Sequence, residues 1–337
     1  MTRTVFVITS VLTLFGMSAC QQSEEELKEK TKMADWQYFG EALPGDKPVM
    51  FGPERISTQR NERDFAISSD GKEIFISYAL PGFSFSTILS FRYTDAGWSE
   101  PRVASFSGMY NDLEPALSPD GSKLFFISRR PVAEEDSTRD WNIWFTVRED
   151  EKEWRAPMVL GPPVNDEGNE FYPSVAQNGN LYFTAENRTD SHGGEDIYCS
   201  EFTDGNYSAP INLGPGVNSR QPEYNAFISP DESYLLFSSW GREDGLGGGD
   251  LYIAFRDEAG IWQSAVNLGS AINSDKLDYC PCVTHDGKLL FFTSQRLDPR
   301  LNDTKRKELK EVTGLEDGPG NGLGDIYWVA FDPARWK

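Results

Sequence analysis

Histidine is nearly absent from this 337-residue chain: His192 and His285 are the only two, too few for a multi-histidine metal centre. Cysteine is scarce as well. Beyond Cys20 there are only Cys199, Cys280 and Cys282, an odd number without disulfide-scaffold spacing, and they read as small apolar packing residues. The pair Cys280-x-Cys282 with His285 resembles a metal site only superficially, since a third ligand is not evident, so no metal and no cofactor is expected. Basic residues number 32 against 53 acidic ones, and a net charge of −21 repels phosphate backbones, which argues against nucleic acid as a partner. There is no Gly-x-Ser-x-Gly elbow and no His-Glu-x-x-His motif, so serine-nucleophile and zinc-protease chemistry find no support. The apolar run at residues 5–15 is too short to span a bilayer.

That run, preceded by Arg3 and followed by small residues, has the form of an export signal over residues 1–19. Met17-Ser18-Ala19-Cys20 resembles a bacterial lipobox, and the resemblance implies that Cys20 becomes a lipid-modified N-terminus anchored in a membrane. An ordinary secretory signal is the alternative. The absence of Asp after Cys20 implies the outer membrane, on its periplasmic face or at the cell surface. Residues 20–47 read as an acidic tether, with Glu24 and Lys28, and Glu26 and Lys30, at helical i,i+4 spacing.

From residue 48 to 337 the chain repeats itself. Tight-turn signals recur at Asp70-Gly71, Asp120-Gly121, Asn178-Gly179, Asp231-Glu232 and Asp286-Gly287, about 54 residues apart on average. Only the fourth lacks Gly. Each turn is followed by an apolar strand such as Leu124-Phe125-Phe126 or Leu235-Leu236-Phe237, and then by a third strand beginning Asn142-Ile143-Trp144, Asp196-Ile197-Tyr198, Asp250-Leu251-Tyr252 or Asp325-Ile326-Tyr327. An aromatic, usually with Pro three residues later, introduces a fourth strand, an outer position where the missing N–H of Pro is tolerated.

The last unit reaches Arg335-Trp336-Lys337 without its fourth strand, whereas residues 48–53, Pro-Val-Met-Phe-Gly-Pro, carry the pattern of residues 157–162. The expectation is therefore an all-β fold: a five-bladed β-propeller of four-stranded antiparallel blades, closed by an N-terminal strand pairing with the C-terminal strand. Six blades would require a degenerate unit in residues 21–47, where no turn signal precedes an aromatic strand.

Residues 117–126, Leu-Ser-Pro-Asp-Gly-Ser-Lys-Leu-Phe-Phe, and 248–252, Gly-Gly-Asp-Leu-Tyr, resemble the WD-repeat-like propeller repeats of the TolB type. This resemblance covers residues 48–337 and implies a periplasmic or cell-surface propeller that mostly binds proteins or envelope components. It implies no single activity.

Eight residues before each turn stands an acid: Glu62, Asp112, Glu170, Glu223 and Asp278. These lie where one blade crosses to the innermost strand of the next, and Arg130, Arg188, Arg242 and Arg296 open onto the same face. The ring either binds a cation or basic partner, or serves the fold by accepting loop N–H groups and pairing with local Arg. The Gly-rich stretches before the third strands precede no helix, so turn geometry explains them better than phosphate binding. Symmetry breaks between Arg296 and Gly324, where residues 305–312 are long enough for a short helix and Lys305, Arg306, Lys307 and Lys310 form a basic cluster, a candidate partner contact.

Two functions remain. The first is a non-catalytic envelope lipoprotein whose propeller face binds a protein or a glycan. The second is a glycan-active hydrolase using carboxylates at the channel mouth; such an enzyme needs unequal acids in a deep cleft, one with a raised pKa, whereas a scaffold shows equivalent ones.

Overall fold

The computed structural model describes residues 36–148, 153–302 and 304–337, so the expected signal segment, Cys20 and the tether as far as residue 35 lie outside the described residues. Two units are distinguished, residues 1–40 and 41–337. In the first, the described residues make one 3-10 turn, Gln37–Gly40. The second holds five sheets of blade form.

Strand β1 (Val49–Met50) precedes the first blade, which comprises β2 (Asn61–Ile67), β3 (Glu73–Ala79), β4 (Ser86–Thr94) and the short outer pieces β5 (Gly97–Trp98) and β6 (Arg102–Val103). Blade two is β7 (Asp112–Leu117), β8 (Lys123–Ser128), β9 (Asn142–Val147) and β10 (Met158–Val159). Blade three is β11 (Glu170–Val175), β12 (Leu181–Glu186) and β13 (Glu195–Ser200), then a side hairpin of β14 (Phe202–Thr203) and β15 (Asn206–Tyr207), and outer β16 (Ile211–Asn212). Blade four is β17 (Glu223–Ile228), β18 (Tyr234–Ser239), β19 (Asp250–Phe255) and β20 (Val266–Asn267). Blade five contains β21 (Asp278–Val283), β22 (Leu289–Ser294) and β23 (Asp325–Ala330), and its fourth strand is β1, with Val49 opposite Trp328 and Met50 opposite Tyr327.

The innermost strands touch in a closed ring, β2 to β7 to β11 to β17 to β21 and back to β2. Between blades lie the cores. Phe75, Phe106, Phe126, Trp144 and Trp154 fill the gap between the first two blades, and Tyr182, Phe237, Tyr252 and Trp262 fill that between the third and fourth. The closing junction is aromatic throughout: Phe65 stacks on Phe291 at 4.0 Å, and Phe51, just beyond β1, meets Phe65, Phe291 and Trp328 at 5.6, 5.1 and 4.9 Å. A buried ring of this kind contributes roughly 1.5–3 kcal/mol, which locks the borrowed strand in place.

In four of the five hairpin turns the left-handed position is Gly71, Gly121, Gly179 or Gly287; in the fourth turn it is Glu232, at φ 57°. A non-Gly residue there costs about 1 kcal/mol or more, and hydrogen bonds offset that cost. The Glu232 carboxylate accepts from Asn178, Asn180 and the Tyr182 hydroxyl of the neighbouring blade.

Outer strands of only two residues leave the third strands short of partners, and side chains supply them. Asn165, Asn218 and Asn273 each accept the backbone N–H and donate to the carbonyl of Ile143, Ile197 and Leu251, respectively, while the Ser57 hydroxyl does the same for Ile326. Each amide mimics one more strand residue, satisfying buried backbone groups.

In the fifth-blade insertion the helix is α1 (Leu309–Glu316), not residues 305–312. Glu308 sets this later start, because its backbone N–H is capped by the Glu311 carboxylate at 2.7 Å in a capping box. Lys305, Arg306 and Lys307 therefore lie in the preceding loop, and only Lys310 is helical. Among the described residues no helix is long and apolar enough to cross a membrane.

Candidate functional site

The starts of the innermost strands, the ends of the second strands and the starts of the third share one face of the ring, the entry face; the hairpin turns share the other. All five repeated acids sit at the entry face, and all are 0–3% exposed. Four are clamped by an Arg from the same blade: Asp112 by Arg130 at 2.8 Å, Glu170 by Arg188 at 3.2 Å, Glu223 by Arg242 and Asp278 by Arg296 at 2.7 Å. Each Arg also donates to a crossing-loop carbonyl, from Phe106, Val164, Val217 and Ile272 in turn. Its guanidinium stands over the aromatics of the second and third strands, as Arg242 does over Phe237 and Tyr252 at 5.2 and 4.7 Å. Thus one Arg ties crossing loop, innermost strand and sheet face together. Blade one has Pro81 instead of the clamp, and Glu62 accepts from the Thr58 backbone and hydroxyl. Burial raises the carboxyl of Glu62, and that of Glu170 up to about 8, where Asp166 adds repulsion.

The Asp residues that open the third strands bind their own loops. Asp196 accepts from the N–H groups of His192 and Gly193, Asp250 from Leu246, and Asp325 from Gly320. Burial pushes Asp325 up to about 7, with Glu62 adding to the shift.

Each innermost strand is broken by a bulge two residues after the repeated acid, and the residue there takes a left-handed conformation: Asp64, Glu114, Tyr172, Asn225 and Cys280. A bulge re-aims its side chain, and these five converge on the axis. Unlike the rim acids, no two of them are the same residue type. Arg63 joins the cluster, donating through Nε to Asp64 at 2.8 Å and through Nη2 to Glu114 at 2.9 Å and Cys280 Sγ at 3.3 Å. Its guanidinium also lies 5.0 Å over the Tyr279 ring. Glu114 further accepts from the Tyr172 backbone N–H at 2.6 Å and from the Asn225 amide at 3.3 Å. Burial pushes the Glu114 carboxyl up to about 8, against the pull of Arg63; Asp64 adds to the rise.

Period-two alternation would put Cys280 and Cys282 on one face. The bulge between Tyr279 and Cys282 separates them: Cys280 is buried against Arg63, while Cys282 lines a narrow cavity of about 90 Å³ on the turn face, with His285, Tyr172 and Glu114. Burial holds the Cys280 thiol well above its usual value and pushes Cys282 up to about 12. Among the described residues no group of three or more His, Cys, Asp or Glu is placed to hold a metal ion.

Above the cluster, on the entry face, opens a recess of about 380 Å³ lined by Arg63, Phe83, Glu114, Arg129, Trp141 and Phe171. Phe83 and Trp141 come from the loops between second and third strands of the first two blades, and Arg129 from the end of β8. Glu114 thus lies between recess and turn-face cavity. Of the axial residues only Cys280 is singled out from the sequence, in the Cys280-x-Cys282 pattern; Arg63, Asp64, Glu114, Tyr172 and Asn225 are not, nor are Arg129 and Trp141. The available signal was a position that differs in every repeat, two residues beyond one that is always acidic.

No protein-family model matches the chain, and no curated protein matches it in sequence. Its backbone is similar to that of a solved structure described as a glycoside hydrolase, at 12% identity and a TM-score of 0.51, over 91% of this chain and 95% of that one. It is similar as well to a solved BT0996–RGII complex, at 11% identity and a TM-score of 0.51, over 93% and 96%. At such identities the likeness is one of fold alone, and the chain is a five-bladed β-propeller that shares its architecture with these two structures.

Proposed function

We propose that the protein binds carbohydrate in the axial recess of its entry face, as a component of the cell envelope held by a lipid on Cys20. One observation carries the reading: three aromatic side chains, Phe83, Trp141 and Phe171, converge with Arg63, Arg129 and Glu114 in a recess of about 380 Å³. Apolar planes beside a few convergent polar groups suit a sugar ring, which has apolar faces and a polar edge, and the volume is that of a small-ligand site. Calorimetric and thermal-shift titration with a panel of plant and bacterial oligosaccharides tests it. At least one should bind the wild type, and Trp141→Ala should weaken that binding at least tenfold; no binding across the panel, or binding indifferent to Trp141, overturns the reading.

Hydrolysis is a second reading, favoured by Glu114 and Asp64. They sit on adjacent blades, and burial pushes Glu114 up to about 8, the direction a general acid needs beside a second carboxyl. Binding without hydrolysis ranks ahead of it because both carboxylates are held by one guanidinium and are only 4% and 1% exposed. Release of new reducing ends, lost in Glu114→Gln, would reverse that order.

The TolB-type likeness of residues 117–126 and 248–252 supports an envelope role, and the Met17–Cys20 pattern supports the anchor. Incorporation of labelled palmitate, abolished by Cys20→Ala, tests the latter. Lys305, Arg306, Lys307 and Lys310 are our candidate contact for an acidic partner protein.

A further inference from the structure

The charge of the ligand follows from Arg129, and the inference rests on the carbohydrate reading above. Every other Arg named at the axis or the rim is neutralised: Arg63 by Asp64 and Glu114, and Arg130, Arg188, Arg242 and Arg296 by the buried rim acids. Arg129 is not. It is exposed, its guanidinium lies 4.9 Å over the Trp141 ring, and its backbone N–H bonds to the Asn111 carbonyl. Among the described residues its side chain makes no ion pair and no hydrogen bond. Other exposed arginines such as Arg102 and Arg220 also have no side-chain partner among the described residues, but Arg129 is the one of these that lines the axial recess.

Contact with the Trp141 ring holds the guanidinium in place while its N–H groups make no hydrogen bond, and a guanidinium edge matches a carboxylate in two parallel hydrogen bonds. A second donor waits deeper in the recess. Arg63 uses Nε and Nη2 on Asp64, Glu114 and Cys280, and its Nη1 makes no hydrogen bond among the described residues. The side chain is nearly buried, so this donor is held in one place by its own ion pairs. Blade three places Glu186, blade four Trp240 and blade five Gln295 where blade two has Arg129, each donating its backbone N–H to the carbonyl of the residue before the rim acid, so this cation is a departure from the repeat and not a requirement of the fold.

We infer that the recess takes an acidic saccharide, with a uronic acid carboxylate on the free edge of Arg129, the sugar ring against Trp141 and Phe83, and Arg63 Nη1 donating to the ligand.

The probes are uronate di- and trisaccharides and their methyl esters, which keep ring and linkage but lose the charge, with neutral oligosaccharides and acetate alongside. Binding is read by calorimetry on the wild type, Arg129→Gln and Arg129→Lys, each first shown to keep the wild-type melting temperature. At least one uronate should bind about tenfold or more tighter than its ester. Arg129→Gln should remove that difference and Arg129→Lys restore only part of it.

Esters or neutral oligosaccharides binding as tightly as the free acids, or Arg129→Gln leaving uronate affinity unchanged, overturns the inference while the carbohydrate reading stands. Acetate binding as tightly as the uronates overturns the saccharide part. No binding of any sugar overturns both readings.

Discussion

Arg63 and Glu114, on the innermost strands of adjacent blades, are joined by an Nη2–Oε1 contact of 2.9 Å at the centre of the ring. The same guanidinium holds Asp64, so removing it leaves two buried carboxylates without a counter-charge. Arg63→Met should cost about 3–5 kcal/mol in urea unfolding. The double variant Arg63→Met, Glu114→Gln should recover part of that loss. A loss under 1 kcal/mol for the single variant would show that the axial ion pair does not hold the ring.

Stability should fall as pH rises through neutrality. Burial lifts Glu170 from 4.5 to about 8 and Glu114 likewise, with Asp325 and Glu195 rising to about 7. A carboxyl whose folded pKa lies above its unfolded one binds its proton more tightly when folded. Its contribution is full below the unfolded value and is lost as pH passes the folded one. The melting temperature should therefore drop between pH 5 and pH 8.5, with a shallower slope in Glu170→Gln. A melting temperature that climbs over that interval would contradict the assignment.

Closure of the ring depends on Phe51, whose ring touches Phe65, Phe291 and Trp328. Phe51→Ala should cost about 3–5 kcal/mol. Amide exchange should speed up first at Phe51, whose N–H bonds to the Ile326 carbonyl, and then at its neighbours in β1 and β23. Uniform acceleration across all blades would show that the junction is not a weak point.

Asn218 performs as a strand residue would, bonding both the N–H and the carbonyl of Ile197 at 2.9 Å. Asn218→Ala leaves the buried Ile197 N–H unpaired, while the Ile197 carbonyl keeps only the Leu213 N–H at 3.2 Å, and should cost about 1–3 kcal/mol by thermal or urea unfolding. Asn218→Asp should also destabilise, since it keeps the acceptor and loses the donor. Equal stability of Asp and Asn variants would mean that the carbonyl contact contributes nothing.

The architecture was legible because its determinants are local and recur. Turns such as Asp120-Gly121 force hairpins, and apolar runs such as Leu124-Phe125-Phe126 bury between blades. The likeness of residues 48–53 to 157–162 announced that β1 would serve as a fourth strand. The rim acids were legible as a set for the same reason, and so was the Arg beside them in four blades. The Asn surrogates were missed, although Val-Asn or Ile-Asn recurs at 164–165, 217–218 and 272–273. A strand of two residues does not show from its sequence what completes it.

Chain chemistry by itself determined the number of blades, their hairpins and the borrowed strand, because each follows from side-chain periodicity and from turn residues near in sequence. Only the tertiary structure decided what stands at the axis. Alternation of two carries Asp112 and Glu114 to one side of a strand, but a bulge turns Glu114 inward, to Arg63 from a different blade. Arg129 and Trp141 face each other within blade two, one step past the Ser128–Asn142 pair, but the recess they border forms only where blade one brings Phe83 and blade three Phe171 beside them. Such meetings depend on how separate blades pack around a ring, and no spacing within one repeat encodes them.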